Sequence, residues 1–190
     1  MKIRAAILYE ANTPLRVEEV TIDDPQDHEV MVKLVATAVC HSDLLPIKGQ
    51  VPSPMPIVLG HEGAGIVVKV GPNVTRVGVG DHVVLPVVYT CGKCRYCIEG
   101  QPALCSEVLM AHSMGTLPGW GKRLHKDGRD LAIFYSQGSF AEYAVVHERN
   151  TVKVPEHAPL NMLCLFSDRV PTGVGSVVTR AGVRSGESVV

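Results

Sequence analysis

The sequence lacks an unbroken apolar run of the ~18 residues that a membrane-spanning helix needs, so no association with a membrane is expected. It also lacks the pattern of a secretory signal, because the opening MKIRAAILYE has only a short apolar stretch before Glu10. A cytoplasmic protein is the resulting expectation. Net charge is nearly absent: 18 basic residues face 19 acidic ones and leave a formal charge of -1. No global field then draws the chain to nucleic acid or to a polyanionic substrate. The one dense basic stretch, Lys122, Arg123, His125 and Lys126, is interrupted by Leu124 and flanked by Gly121 and Asp127, and reads as a solvated loop. There is no internal repeat and no low-complexity tract.

What is present fits a globular, β-rich chain. With 190 residues, 46% of them hydrophobic, it has the length to bury one sizeable core and to begin a second unit. Runs rich in β-branched residues at Glu29 to Val39, Gly65 to Val70, His82 to Val88 and Phe140 to Val146 are bounded by Gly, Pro, Asn or Asp and read as strands. Thirteen prolines and eighteen glycines punctuate these short strands at irregular intervals. The pattern predicts a mainly β fold with short helices, closer to a partly closed barrel than to an alternating βαβ array. Near the C-terminus a helix is predicted over Thr172 to Ala181, a stop over Gly182 to Glu187, and the first residues of a buried strand at Ser188 to Val190.

Six cysteines could form disulfides in a secreted protein, but in the absence of an export signal they read as thiolates. Four of them, Cys91, Cys94, Cys97 and Cys105, lie in one excursion. Four thiolates close a tetrahedral shell around zinc and leave no position for water, which makes the site structural. Gly92 and Gly100 ease the tight turns, and Lys93 and Arg95 offset part of the negative charge. The bland alternative is a set of buried or disulfide-bonded cysteines; the spacing also differs from common ferredoxin motifs.

A second signal is distributed. Cys40-His41-Ser42-Asp43 follows one apolar strand, and Gly60-His61-Glu62 follows the apolar turn Pro56 to Leu59. A soft thiolate and an imidazole on separate loops suit a zinc site with an open side. Taken singly, Cys40 reads more readily as a buried small residue, and His61 as a satisfied surface or core histidine, than as a ligand.

The order of these parts resembles the medium-chain zinc-dependent alcohol dehydrogenases. Gly60-His61-Glu62, Gly65, Gly71 and Val74 stand at the spacings of that family's zinc signature, followed by Gly80-Asp81-His82-Val83-Val84 and the four-cysteine lobe. GTLPGWGKRLHKDG and SFAEYAVV are similar to later family segments. The resemblance implies a GroES-like catalytic domain over residues 1-171, with the structural-zinc lobe at about 88-110. It implies that residues 172-190 are a linking helix and the first strand of a nucleotide-binding Rossmann domain that is otherwise not in this sequence.

The resemblance also implies two zinc ions. The catalytic one is held by Cys40, His61 and a third ligand shortly before a Thr-Gly pair, here Thr172-Gly173. Counting back places Asp168 at the ligand position; Cys164 lies four residues too early and reads as a small apolar residue between Leu163 and Leu165. Certain formaldehyde dehydrogenases use Asp in a similar setting. Ser42 then corresponds to the hydroxyl that touches the substrate oxygen, Asp43 to the carboxylate that orients His61, and Glu62 to an auxiliary acidic neighbour. His41 and Thr172 correspond to residues near the cofactor pyrophosphate and nicotinamide. Leu45 stands where several members carry a relay histidine, so the proton path must differ. Val87, Trp120 and Phe140 are candidate substrate liners, although apolar residues beside strands are more often plain core.

The activity implied is that of a zinc-dependent alcohol or aldehyde oxidoreductase, transferring hydride between a zinc-bound alkoxide and NAD or NADP. The partners implied are a small alcohol or aldehyde and, in full-length form, further copies of the chain in a homo-oligomer, with no nucleic acid and no membrane. The Gly-rich turn that binds a dinucleotide is missing, since Thr172-Gly-Val-Gly175 follows no strand. The 190 residues alone are therefore expected to be inactive. The alternative from another class is a non-catalytic zinc-binding remnant.

Overall fold

In the computed structural model, which describes residues 1–189, strand β1 (Lys2–Leu8) shows why a barrel forms. Ile3, Ala5 and Ile7 point inward while Lys2 and Arg4 face solvent, the two-residue period of a strand with one buried face. It pairs antiparallel with β2 (Arg16–Ile22). The long β3 (Glu29–Ala38) is followed by helix α1 (His41–Ile47), then β4 (Ile57–Val58), β5 (Glu62–Val70) and β6 (His82–Val84). The lobe carries α2 (Arg95–Ile98) and α3 (Ser106–Met114). After it come β7 (Leu124–Lys126), β8 (Arg129–Asp130), β9 (Ala132–Ile133), β10 (Tyr143–His147), β11 (Val152–Val154), α4 (Leu160–Leu163) and α5 (Arg169–Val174).

The strands form two sheets, ordered β8-β7-β2-β1-β4-β9 and β10-β3-β5-β6-β11. Phe140 to Glu142 stitches them together. Ala6 N–H donates to Phe140 O at 2.8 Å, Glu142 N–H to Arg4 O at 3.0 Å, and Leu34 N–H to Glu142 O at 3.0 Å. The nearly closed barrel that results encloses a core in which Ile7 and Ile22 from one sheet meet Met31 and Val145 from the other. Register shifts between β3 and β5 at Met31/Val32 and Leu34/Ala36 bend the pair around this core.

Several expectations need correction. The run His82 to Val88 is a strand only to Val84, because Pro86 has no N–H to offer a ladder. The basic stretch is not a free loop. Arg123 forms a two-pronged ion pair with Glu29 at 2.8 Å, His125 lies between Asp23 and Asp130, and Lys126 meets Glu18 at 3.3 Å while forming β7. Within the cysteine lobe, α3 continues to Met114 and ends on Gly115 with a left-handed φ of 63°. The C-terminal helix begins at Arg169 rather than Thr172, with Asp168 at its N-cap, and continues as a π-helical turn over Gly175–Arg180. The strand expected at Ser188 to Val190 is not formed at Ser188 or Val189, because no neighbouring strand pairs with them; Val190 lies outside the described residues.

Candidate metal centres

Sheet register assembles the first centre. In the β3–β5 pair Ala38 lies opposite Glu62, so Cys40, just past the end of β3, meets His61, just before β5. Gly60 makes that approach practicable: its φ is +88°, and a Cβ there would lie 2.5 Å from Phe140 Cδ1 and 2.6 Å from Phe140 N. The third segment arrives through the 3-10 turn Cys164–Ser167. Ser167 Oγ donates to Gly63 O and Val87 N–H donates to Ser167 O, both at 3.1 Å, which fixes the next residue, Asp168, over the centre.

Cys40, His61, Glu62 and Asp168 each bring one ligand atom within 4.8 Å of the others. Asp168 Oδ2 lies 3.5 Å from His61 Nε2 and 3.7 Å from Cys40 Sγ. Asp43, fully buried, organises the two others. It accepts from Cys40 N–H and Gly60 N–H at 3.0 Å each, and its Oδ1 is 3.2 Å from His61 Nδ1. That contact leaves His61 Nε2 as the free ring nitrogen, and Nε2 is buried without a hydrogen-bond partner. A buried, unsatisfied nitrogen facing a thiol and a carboxylate is costly unless a cation fills the gap, so the donor set fits zinc.

Glu62 is buried too. Its Oε1 accepts from Arg169 Nε at 3.1 Å, and Oε2 has no partner. Sequence reasoning missed Arg169; its place beside Asp168 was the available signal. Ser42 Oγ stands 3.6 Å from Cys40 Sγ. His41 is exposed at the start of α1, and exposed Thr172 donates to Asp168 Oδ1 at 2.7 Å. Cys164 is turned away, buried with Ala64, Val84 and Leu160, its thiol 3.4 Å from Asn161 O. Burial raises its pKa above the usual thiol range.

An apolar cleft of about 470 Å³ opens beside Ser42, with Leu45, Phe134 and Tyr135 in its wall. Phe134 and Tyr135 place their rings 5.5 Å and 5.0 Å from that of His61. Tyr135 sits there only by adopting a left-handed backbone, φ 50° and ψ 36°, which is uncommon for a non-glycine residue. His112 packs edge-on against Tyr135 at 4.9 Å, and burial, followed by the nearby His61, pushes its pKa down to about 4. Neither His112 nor Tyr135 was legible from local sequence, because only tertiary packing brings them beside His61. Val87, Trp120 and Phe140 do not line this cleft; Phe140 packs behind Gly60. A second cavity, of about 230 Å³ around His28, His147 and Glu148, lies over the cysteine lobe instead.

In that lobe the sulfurs of Cys91, Cys94, Cys97 and Cys105 all lie within 4.8 Å of one another. The Cys94–Cys97 and Cys91–Cys97 separations are 3.5 Å and 3.9 Å. Tetrahedral zinc with sulfur at about 2.3 Å demands edges near ~3.8 Å, whereas a disulfide needs about 2.05 Å. Backbone N–H groups solvate the sulfurs: Cys94 N–H reaches Cys91 Sγ and Cys91 N–H reaches Cys105 Sγ, both at 3.3 Å. N–H groups of Cys97 and Ser106 push the Cys94 thiol down to about 6, favouring the thiolate a metal requires. Arg149 ties the lobe to the barrel by donating to Thr90 O at 3.1 Å and to Cys91 O.

Known proteins share this fold. Residues 26–156 match the family described as alcohol dehydrogenase GroES-like domain. S-(hydroxymethyl)glutathione dehydrogenase of Saccharomyces cerevisiae is 41% identical over 100% of this chain and 50% of its own length. The alcohol dehydrogenase zinc-binding domain protein of Burkholderia ambifaria superposes with a TM-score of 0.91 at 39% identity, covering 99% of this chain and 51% of that one. Benzyl alcohol dehydrogenase of Acinetobacter calcoaceticus gives 0.85 at 40% identity, over 95% and 48%. The chain spans about half the length of the curated relatives it matches. It belongs to the zinc-type medium-chain alcohol dehydrogenase family, whose GroES-like domain it carries.

Proposed function

We propose that this chain is the metal-bearing catalytic portion of an alcohol or aldehyde dehydrogenase, with one catalytic zinc held by Cys40, His61 and Asp168 and one structural zinc held by Cys91, Cys94, Cys97 and Cys105. The observation that carries the first assignment is the buried, unpartnered Nε2 of His61 facing Cys40 and Asp168. When bound, catalytic zinc supplies Lewis-acid polarisation of the substrate oxygen and eases its deprotonation near neutral pH. A nicotinamide cofactor, NAD or NADP, would supply the hydride acceptor for the alcohol carbon, with exposed His41 and Thr172 as the residues that would help to hold it.

The chain's own residues prepare that step. Ser42, at the mouth of the cleft, receives the hydroxyl proton and passes it to water, since Leu45 in the same wall offers no relay group. Asp43 is a positioning residue that holds His61 in the tautomer with Nε2 free. Glu62 pairs with Arg169 and so steadies the segment that carries Asp168. Phe134 and Tyr135 keep water from the His61 side. His41 and Thr172, both exposed, would contact the cofactor, and residues 1-171 would serve as the catalytic domain.

Metal analysis of the purified chain tests the reading. Two zinc ions per chain are expected, falling to one in Asp168→Ala with the cysteine lobe still loaded, while Cys164→Ala keeps both. Loss of a zinc from Cys164→Ala but not from Asp168→Ala would reverse the ligand assignment. A single zinc in the unaltered chain, confined to the lobe, would end the catalytic one.

A further inference from the structure

We propose that Cys94 and Cys97 are a modification site for hydroperoxides, a dithiol that closes to a disulfide and thereby withdraws two of the four donors from the cysteine lobe. The proposal rests on the structural-zinc reading above and concerns the fate of this chain's own sulfurs.

The four sulfurs are not equivalent. Cys91 and Cys105 are buried, at 8% and 1% exposure, whereas Cys94 and Cys97 are partly open to solvent. Arg149 also pins the carbonyl of Cys91 to the barrel. One turn of α2 brings Cys97 back towards Cys94, with Ile98 N–H donating to Cys94 O at 3.0 Å. Their sulfurs stand 3.5 Å apart, closer than the 3.9 Å between Cys91 and Cys97. Closing that gap to the ~2.05 Å of a disulfide asks for movement of this one turn only. Accessibility and separation therefore select the same pair.

The chemistry balances with hydrogen peroxide as the oxidant. One thiolate of the pair attacks the peroxide, so that an S–O bond forms as the O–O bond breaks and hydroxide leaves. The second thiolate attacks the resulting sulfenic sulfur, forming the S–S bond as the S–O bond breaks and releasing a second hydroxide. Solvent protonates both to water. Two thiolates have then given up two electrons, and one peroxide has become two waters. Cys91 and Cys105 by themselves cannot close a tetrahedral shell, so the lobe no longer retains zinc.

The barrel centre has no counterpart to this reaction. Cys40 shares it with His61, Glu62 and Asp168 but with no second sulfur, and Cys164 packs elsewhere with Ala64, Val84 and Leu160. Reversible oxidation is thus confined to the lobe. Its effect reaches the cleft through α3, which begins at Ser106, next to Cys105, and carries Leu109 and His112 of the cleft wall. Oxidation loosens that wall and leaves in place the strands that hold the barrel ligands.

The test treats the zinc-loaded chain with stoichiometric hydrogen peroxide. Released zinc is read with a metallochromic dye, and each cysteine is assigned by alkylation and mass spectrometry before and after dithiothreitol. One zinc per chain is expected to leave, with Cys94 and Cys97 blocked until dithiothreitol is added, Cys91 and Cys105 open to alkylation throughout, and zinc rebinding after reduction. A disulfide through Cys91 or Cys105, oxidation of Cys40 ahead of the lobe, or lobe products that dithiothreitol does not reverse overturns the proposal and leaves the structural-zinc reading standing. A lobe that holds no zinc before peroxide is added is the distinct result that removes that reading, and the switch with it.

Discussion

The two candidate metal centres are built in opposite ways. The cysteine lobe draws its four donors from residues 91–105, and N–H groups of the same excursion solvate the sulfurs. The other centre joins Cys40 to Asp168 across 128 positions and depends on the β3–β5 register, on Gly60 and on the 3-10 turn before Asp168. One centre is a property of a loop, the other of the barrel. Damage to the lobe should therefore stay local, and damage to the barrel centre should be felt through the groups that hold its ligands.

The largest expected effect is on the lobe. Cys105→Ser removes a buried donor from a segment whose core is little more than its cysteines, Tyr89 and Val108. Since structural zinc supplies about 10–16 kcal/mol to small zinc-finger peptides, residues 88–114 are expected to lose their metal and most of their hydrogen-exchange protection. Protection in β1, β3 and β5 should persist. Loss of protection in those strands as well would show that the lobe is not an independent unit.

Asp43→Ala sharpens the contrast from the other side. The substitution touches no metal ligand position, yet it leaves Cys40 N–H and Gly60 N–H without their acceptor and frees the His61 ring to turn. Metal affinity at the barrel centre should fall about 10–100-fold, with the lobe unchanged, as read by competition with a graded chelator. Unchanged affinity would mean that packing against Phe134 and Tyr135 suffices to hold the ring.

A smaller effect is expected from His112. In the fold its pKa is about 4, against about 6.5 in an unfolded chain. The folded state therefore keeps the ring neutral while the unfolded chain takes up a proton. The stability involved is fully present above pH ~6.5 and is lost as pH falls through 4, amounting to about 3 kcal/mol in all. His112→Phe keeps an aromatic ring against Tyr135 without the titration. Urea midpoints at pH 7 and pH 4.5 should show the variant losing about 2 kcal/mol less than the parent chain. Equal losses would place the acid sensitivity elsewhere in the molecule.

Legibility in the sequence followed the same division between local and assembled features. The β-branched runs within β3 and β5, bounded by turn residues, announced strands, and the prolines and glycines between the runs pointed to a barrel, because these residue types act through their own stretch of backbone. The cysteine lobe was readable for a related reason, since donors that are close in sequence must be close in space. Strand ends were less so: Pro86 cut short a run that its β-branched residues would have extended. His112 and Tyr135 left no local trace, because the rings they pack against lie far away along the chain, and Arg169 was marked only by its place beside Asp168.

By itself the sequence determined the kinds of donor, the solvated and buried faces of the long strands and the closed character of the lobe, all of which depend on neighbours within a few positions. Counting back from Thr172-Gly173 already favoured Asp168 over Cys164, but only the tertiary structure decided how Asp168 comes to stand beside Cys40 and His61. Cys164 packs against the sheet with Leu160, while the turn held by Ser167 rotates the next residue towards the centre. The direction of a side chain at the end of such a turn is set by what the whole segment packs against, and that information is spread over the barrel.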